Sequence, residues 1–210
     1  MEQTRRMDAL YGFQRHIYDA TRRFYLLGRD RLLEDLRVPR GGSVLEMGCG
    51  TGRNLAALAR LRPDLKLCGL DVSGKMLETA GRTLRGTGAS LALRPAESPD
   101  CLCAFGRERF DAVFYSYCLS MIPEWEQALD AGWDAVAPGG TLAVVDFWGQ
   151  GGLPDWLEAL HARWLALFGV HPRAGLLPRL RAMERASGAR LTVDRVRGGY
   201  ACLAWLEKPA

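Results

Sequence analysis

Val44-Leu-Glu-Met-Gly-Cys-Gly-Thr-Gly52 is the stretch on which the fold turns, because an apolar, strand-like run passes directly into glycines that open a helix. Glycine at such a junction lets the backbone approach a ligand closely, with amide donors facing it. The spacing is G-x-G-x-G, which misses the G-x-G-x-x-G dinucleotide fingerprint, and no Gly-Lys-Ser/Thr follows, which excludes a P-loop. Glu46 stands two residues ahead of the first glycine. A carboxylate there repels a pyrophosphate and attracts a ligand that carries an ammonium and a sulfonium. Asp71 closes the next apolar run, where a strand-end carboxylate accepts both hydroxyls of a ribose.

Outward from this stretch the chain alternates. Strands are expected at Ser43 to Met47, Lys66 to Asp71, Ser90 to Leu93, Phe110 to Ser116 and Thr141 to Phe147, with helices from Gly52, from Ser73 and over Pro123 to Val136, and a short helical stretch near Cys101. Pro138-Gly-Gly reads as a tight turn. Such alternation implies an α/β, doubly wound Rossmann-like sheet, mostly parallel. Arg190 to Val196 and Tyr200 to Leu206, joined by Arg197-Gly-Gly, add a C-terminal antiparallel hairpin and bring the sheet to seven strands. Arg5 to Leu36 has helical spacing with a break at Gly28, and Tyr11, Tyr18 and Tyr25, seven residues apart, share one face of it. Leu153, Trp156, Leu157, Leu160, Trp164, Leu165 and Phe168 form one apolar stripe of a further helix, which either docks on the sheet or faces acyl chains at a bilayer surface.

With 210 residues, 48% of them apolar, the chain has material for one substantial core, and one domain over 1–210 is the simpler reading. The first residues lack the apolar stretch of a signal peptide and no segment is apolar for long enough to span a bilayer, so a cytoplasmic protein is expected. Six cysteines without paired C-x-x-C spacing read as reduced and mostly buried, and three histidines without ligand spacing give no metal site. The net charge of +4 divides unevenly, +3 over residues 1–40, −3 over 41–149 and +4 over 150–210. Basic flanks suit a membrane surface, nucleic acid or an acidic small molecule, and equally an ordinary solvated surface.

VLEMGCGTG followed by GLDVS resembles motifs I and II of the class I S-adenosylmethionine (AdoMet)-dependent methyltransferases. The resemblance implies AdoMet as cofactor, with the methionine moiety held by Glu46, Gly48, Cys49 and Gly50, the ribose by Asp71 beside Val72, and the adenine covered by Met76. Where the family commonly shows Asp-Ala-Glu after strand three, this chain has Pro95-Ala96-Glu97, so Ala96 and Glu97 stand in for the aspartate contact. Strand four ends where the family places the acceptor, which brings Ser116 and Tyr117, and with them Tyr115, beside the transferring methyl. Tyr18-Asp-Ala-Thr and Leu27-Gly-Arg-Asp30 resemble the segment that lipid and quinone methyltransferases fold over the cofactor, implying cofactor contacts from Tyr18, Tyr25 and Arg29. Residues 1–40 are then a helical lid, 41–149 the cofactor-binding core and 150–210 a helical insertion with the hairpin.

Several separated segments, 11–31, 46–55, 116–125, 145–147 and 197–201, are most similar to the bacterial N-methyltransferases of betaine-lipid synthesis, which trimethylate diacylglyceryl homoserine. That implies an aminolipid substrate, a peripheral contact with the anionic inner membrane face, and an aromatic acceptor wall of Tyr117 and Tyr200, with Phe147 and Trp148 as further candidates and Arg173 or Arg197 for the lipid carboxylate. Phosphatidylethanolamine, a quinone or a small amine remain alternative acceptors, and a non-catalytic AdoMet-binding module is a further reading. Nucleic acid is disfavoured, because the aromatics lie in no basic stacking motif and Asn/Asp-Pro-Pro-Tyr is absent after strand four.

Overall fold

The computed structural model describes residues 26–98, 102–148, 163, 165, 169–196 and 199–210. Among these, seven strands form one sheet in the order β3-β2-β1-β4-β5-β7-β6. β1 (Ser43–Met47) lies at its centre, parallel to β2 (Lys66–Asp71) on one side and to β4 (Phe110–Ser116) on the other. β3 (Ser90–Leu93) extends the sheet beyond β2, and β5 (Val136–Phe147) lies parallel to β4. The hairpin of β6 (Arg190–Val196) and β7 (Ala201–Glu207) closes the far side antiparallel, with β7 paired to β5. Every residue of β1 is buried, as expected of a parallel strand covered on both faces, and its apolar run is accordingly continuous apart from Ser43 and Glu46.

Two layers of helix cover the sheet. On one face α1 (Arg29–Glu34), α2 (Arg53–Leu61) and α3 (Gly74–Thr83) contribute Leu32, Leu33, Leu55, Leu58 and Ala80 to a core with Phe114, Phe147 and Leu203. On the other, α4 (Trp125–Asp134) and α5 (Leu176–Ser187) bury Leu129, Leu176 and Leu180 against Leu45, Tyr115 and Leu142. The sheet changes direction of winding between β1 and β4, and the crevice at the carboxyl ends of strands flanking such a switch is where doubly wound folds bind ligands.

The expected elements are present with shifted edges. The break at Gly28 is real, with φ of +82°, and α1 follows it but stops at Glu34. Pro138-Gly-Gly is not a free turn: it lies inside β5, where the register to β4 shifts between Phe110 and Ala112. The chain end makes the difference, since Gly139 N donates to Pro209 O (3.0 Å) and Lys208 N to Gly140 O (2.8 Å), giving these backbone groups partners that a solvent-exposed turn lacks. The helix expected from Pro123 begins at Trp125. Of the apolar stripe at 153–168 only Leu165 is among the described residues, and it is buried in the core on the α1 side.

Candidate functional site

The glycine loop is shaped by two backbone positions that side chains resist. Gly48 has φ of +73°, and a Cβ there would stand 2.9 Å from the Cβ of Cys118, while Gly50 has φ of +53°. The loop is tied to the end of β2: Cys49 N donates to Leu70 O, and Gly50 N to a carboxylate oxygen of Asp71, each at 2.8 Å. The other Asp71 oxygen accepts from Ser73 N at 2.8 Å, and the Ser73 hydroxyl caps α3 by accepting from Met76 N. Asp71 therefore joins the glycine loop to the start of α3 before any ligand is considered.

Around this junction lies a cavity of about 430 Å³, within the range of small-molecule sites. Glu46, Gly48, Cys49 and Gly50 line it from β1 and its loop, Asp71, Val72 and Met76 from β2 and α3, and Ala96 and Glu97 from the segment after β3. Ser116 and Tyr117 line it from the end of β4, and Arg29 from α1. Tyr18 and Tyr25 lie outside the described residues. Asn54, in the first turn of α2, also lines the cavity and was not singled out from the sequence; the available signal was a polar residue on the inward face of the helix that the glycines open.

Glu46 is buried, and its Oε1 accepts from Asn54 Nδ2 at 2.7 Å. Its Oε2 and the Asn54 Oδ1 are buried without a hydrogen-bond partner. Burial pushes the Glu46 carboxyl up to about 8, against the opposing effect of the Asn54 hydrogen bond, with Asp71 adding to the rise and Arg29 and Arg53 reducing it. Arg29 is itself buried, its Nε donating to Leu26 O at 3.2 Å. Cys49 and Cys118 flank the carboxyl as neutral thiols, because burial raises both well above the ordinary range.

Beyond β4 the chain turns sharply at Tyr117, whose φ of +56° makes it the one non-glycine residue with positive φ among the described residues. A bulky side chain in the left-handed region is strained, and such strain persists only where the surroundings over-determine it. Here Tyr117 N donates to Val145 O at 2.8 Å and its hydroxyl to Leu27 O at 2.6 Å, while its ring meets Phe147 edge-on with centroids 4.7 Å apart. Tyr200 also meets Phe147 edge-on, with centroids 5.6 Å apart; Tyr117 lines the cavity, whereas Phe147 and Tyr200 lie outside its lining, so the expected wall of Tyr117 and Tyr200 is represented there by Tyr117. Burial raises the Tyr117 hydroxyl above its ordinary value, which keeps it a neutral donor and aromatic surface rather than a base.

Other expectations from the sequence are corrected by the packing. Tyr115 points to the opposite face, fully buried, and donates to Ala128 O on α4, so it packs the core and stays away from the cavity. Trp148 is also on that face, under the guanidinium of Arg195 at 4.8 Å, separated by the sheet from Phe147. Arg173 donates to the carbonyls of Leu119 (3.2 Å) and Ile122 (2.6 Å), which commits it to holding the loop after β4. Arg197 lies outside the described residues.

Residues 44–140 match a family model described as a methyltransferase domain. The chain is 26% identical to the demethylmenaquinone methyltransferase of Lactobacillus johnsonii over 119 residues, which is 56% of this chain and 49% of that protein. It is 34% identical to a trans-aconitate 2-methyltransferase of Deinococcus radiodurans over 101 residues, 48% of this chain and 36% of that one. The chain thus spans half or less of the length of these curated relatives. Among solved structures, the plantazolicin methyltransferase BamL in complex with a triazolic desmethylPZN analogue and SAH superposes with a TM-score of 0.74 at 13% identity, covering 100% of this chain and 96% of that one. At such identity the likeness is one of fold, and the fold is the Rossmann-like one of the methyltransferases.

Proposed function

On the premise that residues 44–140 match a methyltransferase domain and that a glycine loop and two strand-end acids meet in one cavity, we infer that this chain is a class I AdoMet-dependent methyltransferase. That convergence carries the reading. Buried polar oxygens on Glu46 and Asn54 suit a positively charged ligand group, and Asp71, at the end of β2, offers the cavity a carboxylate of the kind that holds a ribose. When bound, AdoMet supplies a methyl group on a positively charged sulfur, and transfer forms a bond from the acceptor atom to carbon while the carbon–sulfur pair stays with sulfur. For an amine acceptor the proton leaves to solvent. The protein's own part is to hold the acceptor on the methyl axis and to exclude water from it. Glu46, Gly48, Cys49 and Gly50 hold the methionine portion, Met76, Ala96 and Glu97 surround the adenine, and Arg29 pairs with the carboxylate.

The acceptor we propose is the amine of a lipid head group, diacylglyceryl homoserine, trimethylated to a betaine lipid. Support comes from the segment resemblance and from Tyr117, an aromatic ring at the cavity lining, backed edge-to-face by Phe147, of the kind that favours a methylated ammonium. The match to a demethylmenaquinone methyltransferase favours a second reading, a quinone acceptor. Purified protein with labelled AdoMet should transfer label to diacylglyceryl homoserine in preference to phosphatidylethanolamine or a demethylated menaquinone, read by mass spectrometry. Tyr117→Ala should slow this roughly tenfold or more while SAH affinity stays near wild type, as expected for loss of a desolvated cation–π contact. Turnover of the quinone alone would replace the lipid reading, and failure to bind SAH would remove the methyltransferase one.

A further inference from the structure

We infer that Asn54 positions Glu46 as a proton-releasing acid, so that binding of a ligand that brings an ammonium group into the cavity is coupled to loss of one proton from the protein. The inference rests on the methyltransferase reading above and adds to it the role of Asn54 and the fate of the proton. Glu46 and Asn54 are 1% and 8% exposed, and the 2.7 Å bond from Nδ2 to Oε1 fixes how the carboxamide faces the carboxyl. That bond leaves two polar oxygens, Glu46 Oε2 and Asn54 Oδ1, buried without partners at a cavity that both residues line. Unpartnered buried polar atoms are destabilising, and a positive charge reaching them stabilises the carbonyl of Asn54 and the ionised form of Glu46.

The groups facing this carboxyl come from every neighbouring element. Asp71 at the end of β2 opposes its ionisation, while Arg29 from α1 and Arg53 from α2 favour it. Cys49 and Cys118 face it as thiols that burial keeps protonated, so neither supplies a competing proton near neutral pH. In the ligand-free protein burial dominates and the carboxyl stays largely neutral at pH 7. A ligand bearing a positive charge in the cavity favours the carboxylate, and the proton leaves to the buffer. The Asn54 N–H is the hydrogen bond already in place to receive the charge. Without it the carboxyl is harder to ionise.

Calorimetry with SAH, in buffers of different ionisation enthalpy, counts the protons released. The wild-type protein should release close to one proton per SAH at pH 7, and its affinity should rise up to about tenfold from pH 6 to pH 7. Glu46→Gln should abolish the release and flatten the pH profile. Asn54→Leu, similar in size, should move the profile to higher pH, a displacement that simple loss of packing does not produce. An SAH analogue lacking the amino group controls for the ligand's own titration and should release much less. Tight SAH binding with no proton release and constant affinity between pH 6 and 8 overturns the inference while leaving the methyltransferase reading intact. Absence of SAH binding overturns both.

Discussion

Asp146, next to last in β5, is a buried carboxyl whose two oxygens accept from backbone N–H groups, Ser120 at 3.0 Å and Phe147 at 2.8 Å. The first of these holds the loop after β4, which Arg173 also grips through its carbonyls, so opposite charges fix the same loop by its opposite backbone groups. Burial pushes the Asp146 carboxyl from 3.8 up to about 6, against the hydrogen bonds from Ser120 and Phe147. A raised acid penalises the folded state once ionised: the stability it carries is whole below pH 3.8 and is lost as pH rises through about 6. Asp146→Asn should therefore gain on wild type by a few kcal/mol between pH 4 and pH 8, read from urea melts across that range. Parallel stability profiles for the two proteins would show that the carboxyl titrates normally. Retaining so costly a group at this position fits a role in holding the loop that carries Tyr117.

At the scale of elements, the packing of α4 on β4 is set by one glycine. Gly132 has no Cβ, and one placed there would come within 2.7 Å of Cε2 of Tyr115, whose hydroxyl donates to Ala128 O one turn earlier on the same helix. Helix propensity and packing thus pull in opposite directions. Alanine improves the isolated helix by about 1 kcal/mol, whereas overpacking a fully buried ring costs about 1–3 kcal/mol. Packing should win, and Gly132→Ala should lower unfolding stability by up to about 2 kcal/mol with SAH affinity unchanged, because neither Gly132 nor Tyr115 lines the cavity. A variant as stable as wild type in denaturant melts would mean that the helix shifts freely on the sheet.

For the whole molecule, charge is distributed so that the middle, residues 41–149, is acidic and both flanks are basic. No helix among the described residues is long and apolar enough to cross a membrane. If the substrate is an aminolipid, the protein meets it at a bilayer surface, and basic flanks then aid association with anionic lipid. Sedimentation with vesicles should show stronger binding to anionic than to neutral bilayers, and about 0.5 M salt should weaken it, since the Debye length falls to a few ångströms. Equal binding to both vesicle types at low and high salt would detach the flanks from any membrane role.

By itself the sequence determined the order of strands and helices and the identity of the glycine loop, because these depend on short-range spacing: strands alternating with helices, glycines two apart, and acids Glu46 and Asp71 at strand ends. Such signals survive in one dimension since strand ends in a parallel sheet all open onto the same crevice. Tertiary structure alone decided what crosses between elements. Nothing in the order of residues tells that Tyr115 and Tyr117, two apart across the end of β4, serve a core and a cavity respectively. The positive φ at Tyr117 is the reason, since it turns the chain where the strand would have continued. The pairing of Asn54 with Glu46, the hold of Asp146 on Ser120 and the capture of Pro138-Gly-Gly by the chain end likewise join residues through backbone and buried polar groups. Those groups find partners only once the sheet has assembled and water has been excluded, which makes their pairing a property of the fold and not of local sequence.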